Sequence, residues 1–168
     1  MKILLFALNA SRTHTNLAVR SLYRCLRGSG LEAIIIESHT KEKSSIVFKK
    51  LIDCGADVFG FSVYLWNRSD MLRYARALKT LCPTAFVFFG GPEVSYENND
   101  FFEHHPYVDA ILSGEGEEAI VYLCEALSRG ERPKHQIIRG TPWKAFEESG
   151  VCYETGEELC GRLLYYES

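Results

Sequence analysis

Two turn sequences in this chain concentrate residue types suited to holding a ligand. GGPEVS (90–95) follows the apolar run AFVFF, and SGEGEE (113–118) follows YVDAIL. Two further segments also follow apolar runs: LNASRTHT (8–15) and GFSVYLWN (60–67). Several common ligand chemistries fail on these residues. A dinucleotide site needs G-x-G-x-x-G directly after the first strand, so that backbone reaches the pyrophosphate. That position reads NASRTH. Gly114 and Gly116 do open a helical pattern, but Glu115 and Glu117 would repel a phosphate at its start. No Walker loop is present. A phospho-receiver site needs carboxylates after the first and third strands to hold a divalent cation. Asn9 and Ser62 stand there instead.

A flavin mononucleotide site fits in part. SRTHTN is rich in hydroxyls and precedes a helix start, which makes a workable phosphate cradle. Tyr64 and Trp66 could flank an isoalloxazine ring. Against this, the loop has no glycine, and flavin explains neither GGPEVS nor GEGE. Thr13 or Thr15 capping the first helix is the plainer reading of that segment. A flavodoxin-like electron carrier and a cofactor-free interaction module therefore stand as alternatives.

The elements that position these loops follow from alternating apolar runs and helical patterns. KILLFAL (2–8), LEAIIIE (31–37), DVFGFSVYLW (57–66), TAFVFF (84–89) and YVDAIL (107–112) read as strands. The first is a continuous apolar run, as expected of a strand covered on both faces. Between them lie helices. In 15–30, Leu17, Ala18, Leu22, Cys25 and Leu26 share a face; 43–54 has Ser44 as cap; 70–82 has Ser69 as cap; 99–105 is short; and 117–130 ends at Gly130. Strand–helix alternation predicts right-handed crossovers and a doubly wound parallel α/β sheet. Five strands in the flavodoxin-like order 2-1-3-4-5 are expected, with the four loops on the ligand-facing carboxyl edge.

Composition sets the bounds. A chain of 168 residues suits one domain, and 19 Lys+Arg against 22 Asp+Glu give a net charge of −3, without a basic field for nucleic acid or anionic membrane. No apolar stretch approaches the roughly 20 residues of a membrane span, and MKILLFALNASRTH reads as a first strand, not a signal peptide. Six cysteines (Cys25, Cys54, Cys82, Cys124, Cys152 and Cys160) form no C-x-x-C pair, as in a reduced cytoplasmic protein without its own zinc site or cluster. Residues 131–168 carry Pro133 and Pro142, show no clear helical period and end in GRLLYYES, so they read as a linker.

Taken singly, each loop has an ordinary explanation, since a glycine–proline turn after a strand is commonly only a turn. Together, LNASRTHT, GFSVYLWN, GGPEVS and DAILSGEGEEA resemble the N-terminal cobalamin-binding domain of cobalamin-dependent radical S-adenosylmethionine enzymes. In that family the fourth strand runs into a GGP-type turn and the fifth into a D-x-[IV]-x-x-GEGE turn. The likeness covers roughly residues 1–130. It implies a corrin ring on the carboxyl edge, approached closely at Gly90, Gly91, Gly114 and Gly116, with Pro92 stiffening the turn. It implies a nucleotide tail passing Ser62, Ser95 and Ser113, and an aromatic and apolar surface from Tyr64, Leu65 and Trp66. Glu93 and Glu117 would accept hydrogen bonds from corrin amides, and Asn9, Ala10, Thr13, His14, Val63, Asn67, Val94 and Glu115 complete the cofactor-binding set. NASRTHTN departs from the D-x-H-x-x-G of mutase-type cobalamin domains, whose histidine coordinates cobalt. The resemblance thus implies cobalamin without a protein histidine ligand, His14 lying in the corresponding loop. Family members continue into a catalytic domain whose C-x-x-x-C-x-x-C motif holds a [4Fe–4S] cluster beside S-adenosylmethionine. This chain is therefore expected to be the cofactor domain of a longer methyltransferase or oxidative cyclase, catalysing nothing alone.

Overall fold

The computed structural model describes residues 1–97 and 99–141, so GRLLYYES, Cys152 and Cys160 lie outside the described residues. In chain order the elements are β1 (Lys2–Asn9), α1 (Leu17–Gly28), β2 (Glu32–His39), α2 (Ser44–Asp53), β3 (Val58–Ser62), α3 (Arg68–Leu81), β4 (Phe86–Gly90), α4 (Asp100–His104), β5 (Ala110–Ser113), α5 (Glu117–Ser128) and β6 (Ile137–Arg139). The strands form one parallel sheet in the order β2-β1-β3-β4-β5-β6.

The expected five-strand count is corrected to six. The added strand comes from the stretch read as a linker. Its two isoleucines are too short a run to show a period, and β5 supplies the open edge that recruits them. Ile111 N–H donates to the Gln136 carbonyl at 2.7 Å, and Gly140 N–H donates to the Ser113 carbonyl at 2.8 Å.

Strand alternation divides the core into two layers. Leu4, Phe6 and Leu8 of β1 pack with Val47 and Leu51 of α2, Met71 and Leu78 of α3, and Phe101 and Phe102 of α4. Ile3, Leu5 and Ala7 pack with Val19 and Leu26 of α1 and with Ile120, Leu123 and Cys124 of α5. β1 is therefore apolar at successive positions because both of its faces are covered. Burial pushes the Cys124 thiol up to about 12, so it serves as a small apolar filler.

Three local expectations change for physical reasons. The inward residues of α1 are Val19, Arg20 and Leu26, while Ala18 is exposed. A charged side chain lies inward here, and an apolar-stripe argument excludes such a residue. The cap of α1 is Asn16, whose Oδ1 accepts from Val19 N–H at 3.1 Å, and neither Thr13 nor Thr15 fills that role. Ser69 lies inside α3, and Ser44 is the first residue of α2, after Lys43.

Candidate cofactor site

The loop after β1 hangs from one buried carboxylate. Glu37 of β2 accepts from Arg20 Nη2 at 3.0 Å, from Asn9 Nδ2 at 2.6 Å and from the Asn16 backbone N–H at 3.1 Å. The side chains of Arg20 and Glu37 are only 7% and 8% exposed. Asn9 Nδ2 also donates to the His14 carbonyl at 2.9 Å, so both ends of the 10–15 loop are fixed. Ala10 and Thr13 are exposed on that loop and His14 is half-buried. Because the cap bond commits Asn16 Oδ1, its Nδ2 faces Ser62 and donates to Oγ at 3.4 Å. Sequence reasoning missed Glu37 and Arg20; the available signal was a carboxylate inside the apolar run AIIIES.

Asn67 shapes the loop after β3. It is 1% exposed, and its Nδ2 donates to the carbonyls of Leu8 at 3.0 Å and Ser62 at 3.1 Å. Its Oδ1 accepts from Tyr64 N–H at 2.8 Å. These bonds fold VYLW back, which ends β3 at Ser62 although the apolar run continues to Trp66. Val63 is fully buried, whereas Leu65 is 80% exposed. Tyr64 and Trp66 stack with centroids 4.5 Å apart at 10°, and Trp66 Nε1 donates to the Leu8 carbonyl at 3.1 Å. Asn67→Ala takes the side-chain partner from the Ser62 carbonyl and the Tyr64 N–H, and leaves the Leu8 carbonyl with Trp66 Nε1. It is expected to cost about 2 kcal/mol, given roughly 1–3 kcal/mol per stranded buried group and some rescue by water. Urea unfolding monitored by far-ultraviolet circular dichroism measures it, and a change under about 0.5 kcal/mol would contradict this account of the loop.

Val63 N–H donates to the Gly90 carbonyl at 2.7 Å, which brings the loops after β3 and β4 together. Pro92 is exposed in the following turn, Val94 is buried, and Arg68 donates to the Glu93 carbonyl and to Glu97 Oε1, each at 2.6 Å. Ser95 Oγ donates to the Gly91 carbonyl at 2.8 Å, and Ser113 Oγ donates to the Ser95 carbonyl at 2.7 Å. Both hydroxyl protons are thereby used inside the protein, leaving lone pairs for a ligand. After β5, Gly114 and Glu115 are exposed, and Gly116 packs against Leu22. Glu117 accepts from Ser21 of α1 at 2.8 Å, so one of its carboxylate oxygens turns away from the edge.

The structure thus gathers the residues of all four loops at the carboxyl ends of β1, β3, β4 and β5. It separates the three serines expected along one path. Strand alternation puts Ser62 and Gly90 on the α1/α5 side, while Ser113 and Ser95 meet on the other. Among the described residues, no group of three or more His, Cys, Asp or Glu is placed to hold a metal ion. No described helix is long and apolar enough to cross a membrane.

Residues 3–123 match the model of the B12 binding domain. The chain belongs to the B12-binding domain family. Its relatives include the cobalamin-dependent radical SAM methyltransferase TokK of Streptomyces tokunonensis, 37% identical over 95 residues, which are 56% of this chain and 14% of that protein. The 2-(S-pantetheinyl)-carbapenam-3-carboxylate methyltransferase of Streptantibioticus cattleyicolor is 44% identical over 85 residues, 50% of this chain and 12% of that enzyme. The chain spans about one seventh or less of these relatives. The cobalamin-dependent S-adenosylmethionine radical enzyme OxsB shares the fold with a TM-score of 0.72 at 18% identity, over 88% of this chain and 23% of that one. Membership in the B12-binding family favours cobalamin over flavin mononucleotide and over a cofactor-free module.

Proposed function

We propose that this B12-binding domain carries cobalamin across the carboxyl edge of its sheet and presents it to a radical S-adenosylmethionine catalytic domain of a longer enzyme. One observation carries the reading. Four loops converge on that edge with buried polar groups (Asn9, Ser62, Asn67 and Ser113) beside backbone unshielded by side chains at Gly90 and Gly114. A large, amide-fringed ligand needs both: open backbone for close approach and fixed polar groups to orient it. Cobalamin, when bound, supplies a cobalt centre able to carry a methyl group. The chain's own part is to bind and orient it. Tyr64, Leu65 and Trp66 offer an apolar flank, Glu93 and the Glu117 oxygen not taken by Ser21 acceptors at the rim, and Ser62 and Gly90 a passage for the nucleotide tail on the α1/α5 side. His14 keeps its place in the loop without ligating cobalt. Methyl transfer, or an oxidative cyclisation, belongs to the longer enzyme, with its cluster and S-adenosylmethionine.

Gly90 gives the test. A Cβ built there lies 3.8 Å from its nearest neighbour, the Leu112 carbonyl oxygen, which is ordinary contact. Gly90→Leu starts from that unstrained Cβ and extends into the proposed tail passage, and its far-ultraviolet circular dichroism, matched to the unmodified chain, shows that it has folded. After incubation with hydroxocobalamin and desalting, the unmodified chain should keep the corrin absorbance and Gly90→Leu should lose it. His14→Ala should leave the visible spectrum unchanged, and flavin mononucleotide run in parallel should wash away. Retained flavin with no corrin would overturn the proposal.

A further inference from the structure

We infer that Gly140 is a positioning residue for the turn after β5, because the backbone leaving β6 lies against that turn and sets its path. The inference rests on the cobalamin reading for its functional half only. Gly140 N–H donates to the Ser113 carbonyl at 2.8 Å, continuing the β5–β6 ladder by one residue. A Cβ at position 140 would sit 1.5 Å from the Glu115 carbonyl oxygen and 2.6 Å from its carbon. The Glu115 peptide therefore occupies the space that any side chain at 140 would need. One residue further, Thr141 Oγ1 donates to Glu118 Oε2 at 2.8 Å.

The opposite side of the turn is held as firmly. A Cβ at Gly116 would lie 3.0 Å from Leu22 Cδ2, and Ser21 holds Glu117. Residues 114–117 are thus pinched between α1 and the strap formed by residues 139–141. This gives the glycines of SGEGEE a cause inside the protein: they admit the strap on one side and α1 on the other. It also makes a residue beyond position 130 part of the cofactor edge.

The strap acts through the turn, so the test needs a readout besides binding. In the full chain, Gly140→Ala should speed amide hydrogen exchange in the cofactor-free protein at positions 120 and 140, whose N–H groups donate to the Gly116 and Ser113 carbonyls, and leave β1 and β3 protected. If the variant leaves the turn correctly shaped about a tenth of the time, the dissociation constant for hydroxocobalamin rises about tenfold. Gly28→Ala, which meets nothing within 4 Å, should change neither. Thr141→Val removes only the hydroxyl bond to Glu118 and carries the test should Gly140→Ala fail to fold, its exchange rising in the same place by a smaller factor. Unchanged exchange at positions 120 and 140 in both variants overturns the inference. Faster exchange with a dissociation constant within twofold of the unmodified chain overturns its functional half. Faster exchange in a chain that never holds cobalamin leaves the strap in place and sinks the cofactor reading instead.

Discussion

Glu37→Leu is expected to destabilise the domain by about 3–5 kcal/mol, the range for breaking a buried ion pair from one side. The attraction lost between Arg20 and Glu37 is the smaller part. The larger part is the guanidinium left behind, charged and only 7% exposed at its side chain, with its carboxylate gone. The substitution also strands the Asn16 N–H and one of the two Asn9 Nδ2 protons, the other keeping the His14 carbonyl. A double variant separates these terms. Arg20→Met with Glu37→Leu removes both charges, and an apolar pair of similar volume often replaces a buried ion pair without loss. The two amide donors remain stranded, so the double variant should recover only part and stay about 2 kcal/mol below the unmodified chain. Urea midpoints at constant slope measure all three. A single variant costing less than about 1 kcal/mol would show that the pair is not what holds the 10–15 loop.

Gly91→Ala should cost about 3–4 kcal/mol, from two contributions of different origin. Its φ of +112° lies where an L side chain is strained, at roughly 1–2 kcal/mol per residue. Its Cβ would fall 2.5 Å from the Val63 carbonyl oxygen and 3.1 Å from the Val63 nitrogen, both backbone atoms of the adjoining loop. Relieving that overlap shifts β3 or β4 at its carboxyl end, for about another 1–3 kcal/mol. Gly130→Ala is the matched control, because φ there is +76° and nothing lies within 4 Å. It should show the conformational part alone, about 1–2 kcal/mol. Equal losses at the two positions in urea unfolding would mean that the overlap relaxes freely. A further consequence separates neighbouring residues: Gly91 variants report on folding, and Gly90 variants on the ligand.

The sheet order from β2 to β5 was legible because each strand is an apolar run with a helical pattern behind it, and the carboxyl edge then collects the loops. β6 was not, since three residues carry no period and their pairing depends on the edge that β5 leaves open. The end of β3 was hidden by Val63, Tyr64, Leu65 and Trp66, whose β-forming character is overridden by the single side chain of Asn67. Glycine and serine positions at the edge were legible as types, but their partners were not. Ser113 reaching Ser95 and Gly140 reaching Glu115 are contacts between residues 18 and 25 apart in sequence, which local reasoning does not see. The buried Arg20–Glu37 pair defeats pattern reading for another reason: an inward charge makes sense only once its partner's place in the fold is known.

The stacked Tyr64–Trp66 pair makes this edge its own optical probe. Trp66 is half exposed, anchored through its indole N–H and placed in the loop that flanks the proposed corrin. The chain has two tryptophans, so Trp143→Phe leaves Trp66 as the sole indole emitter. A corrin absorbs strongly across near-ultraviolet and visible wavelengths, so indole emission a few ångströms away would be extinguished by energy transfer. Arrival and departure of the cofactor at this chain can then be timed from a fluorescence trace, without a label.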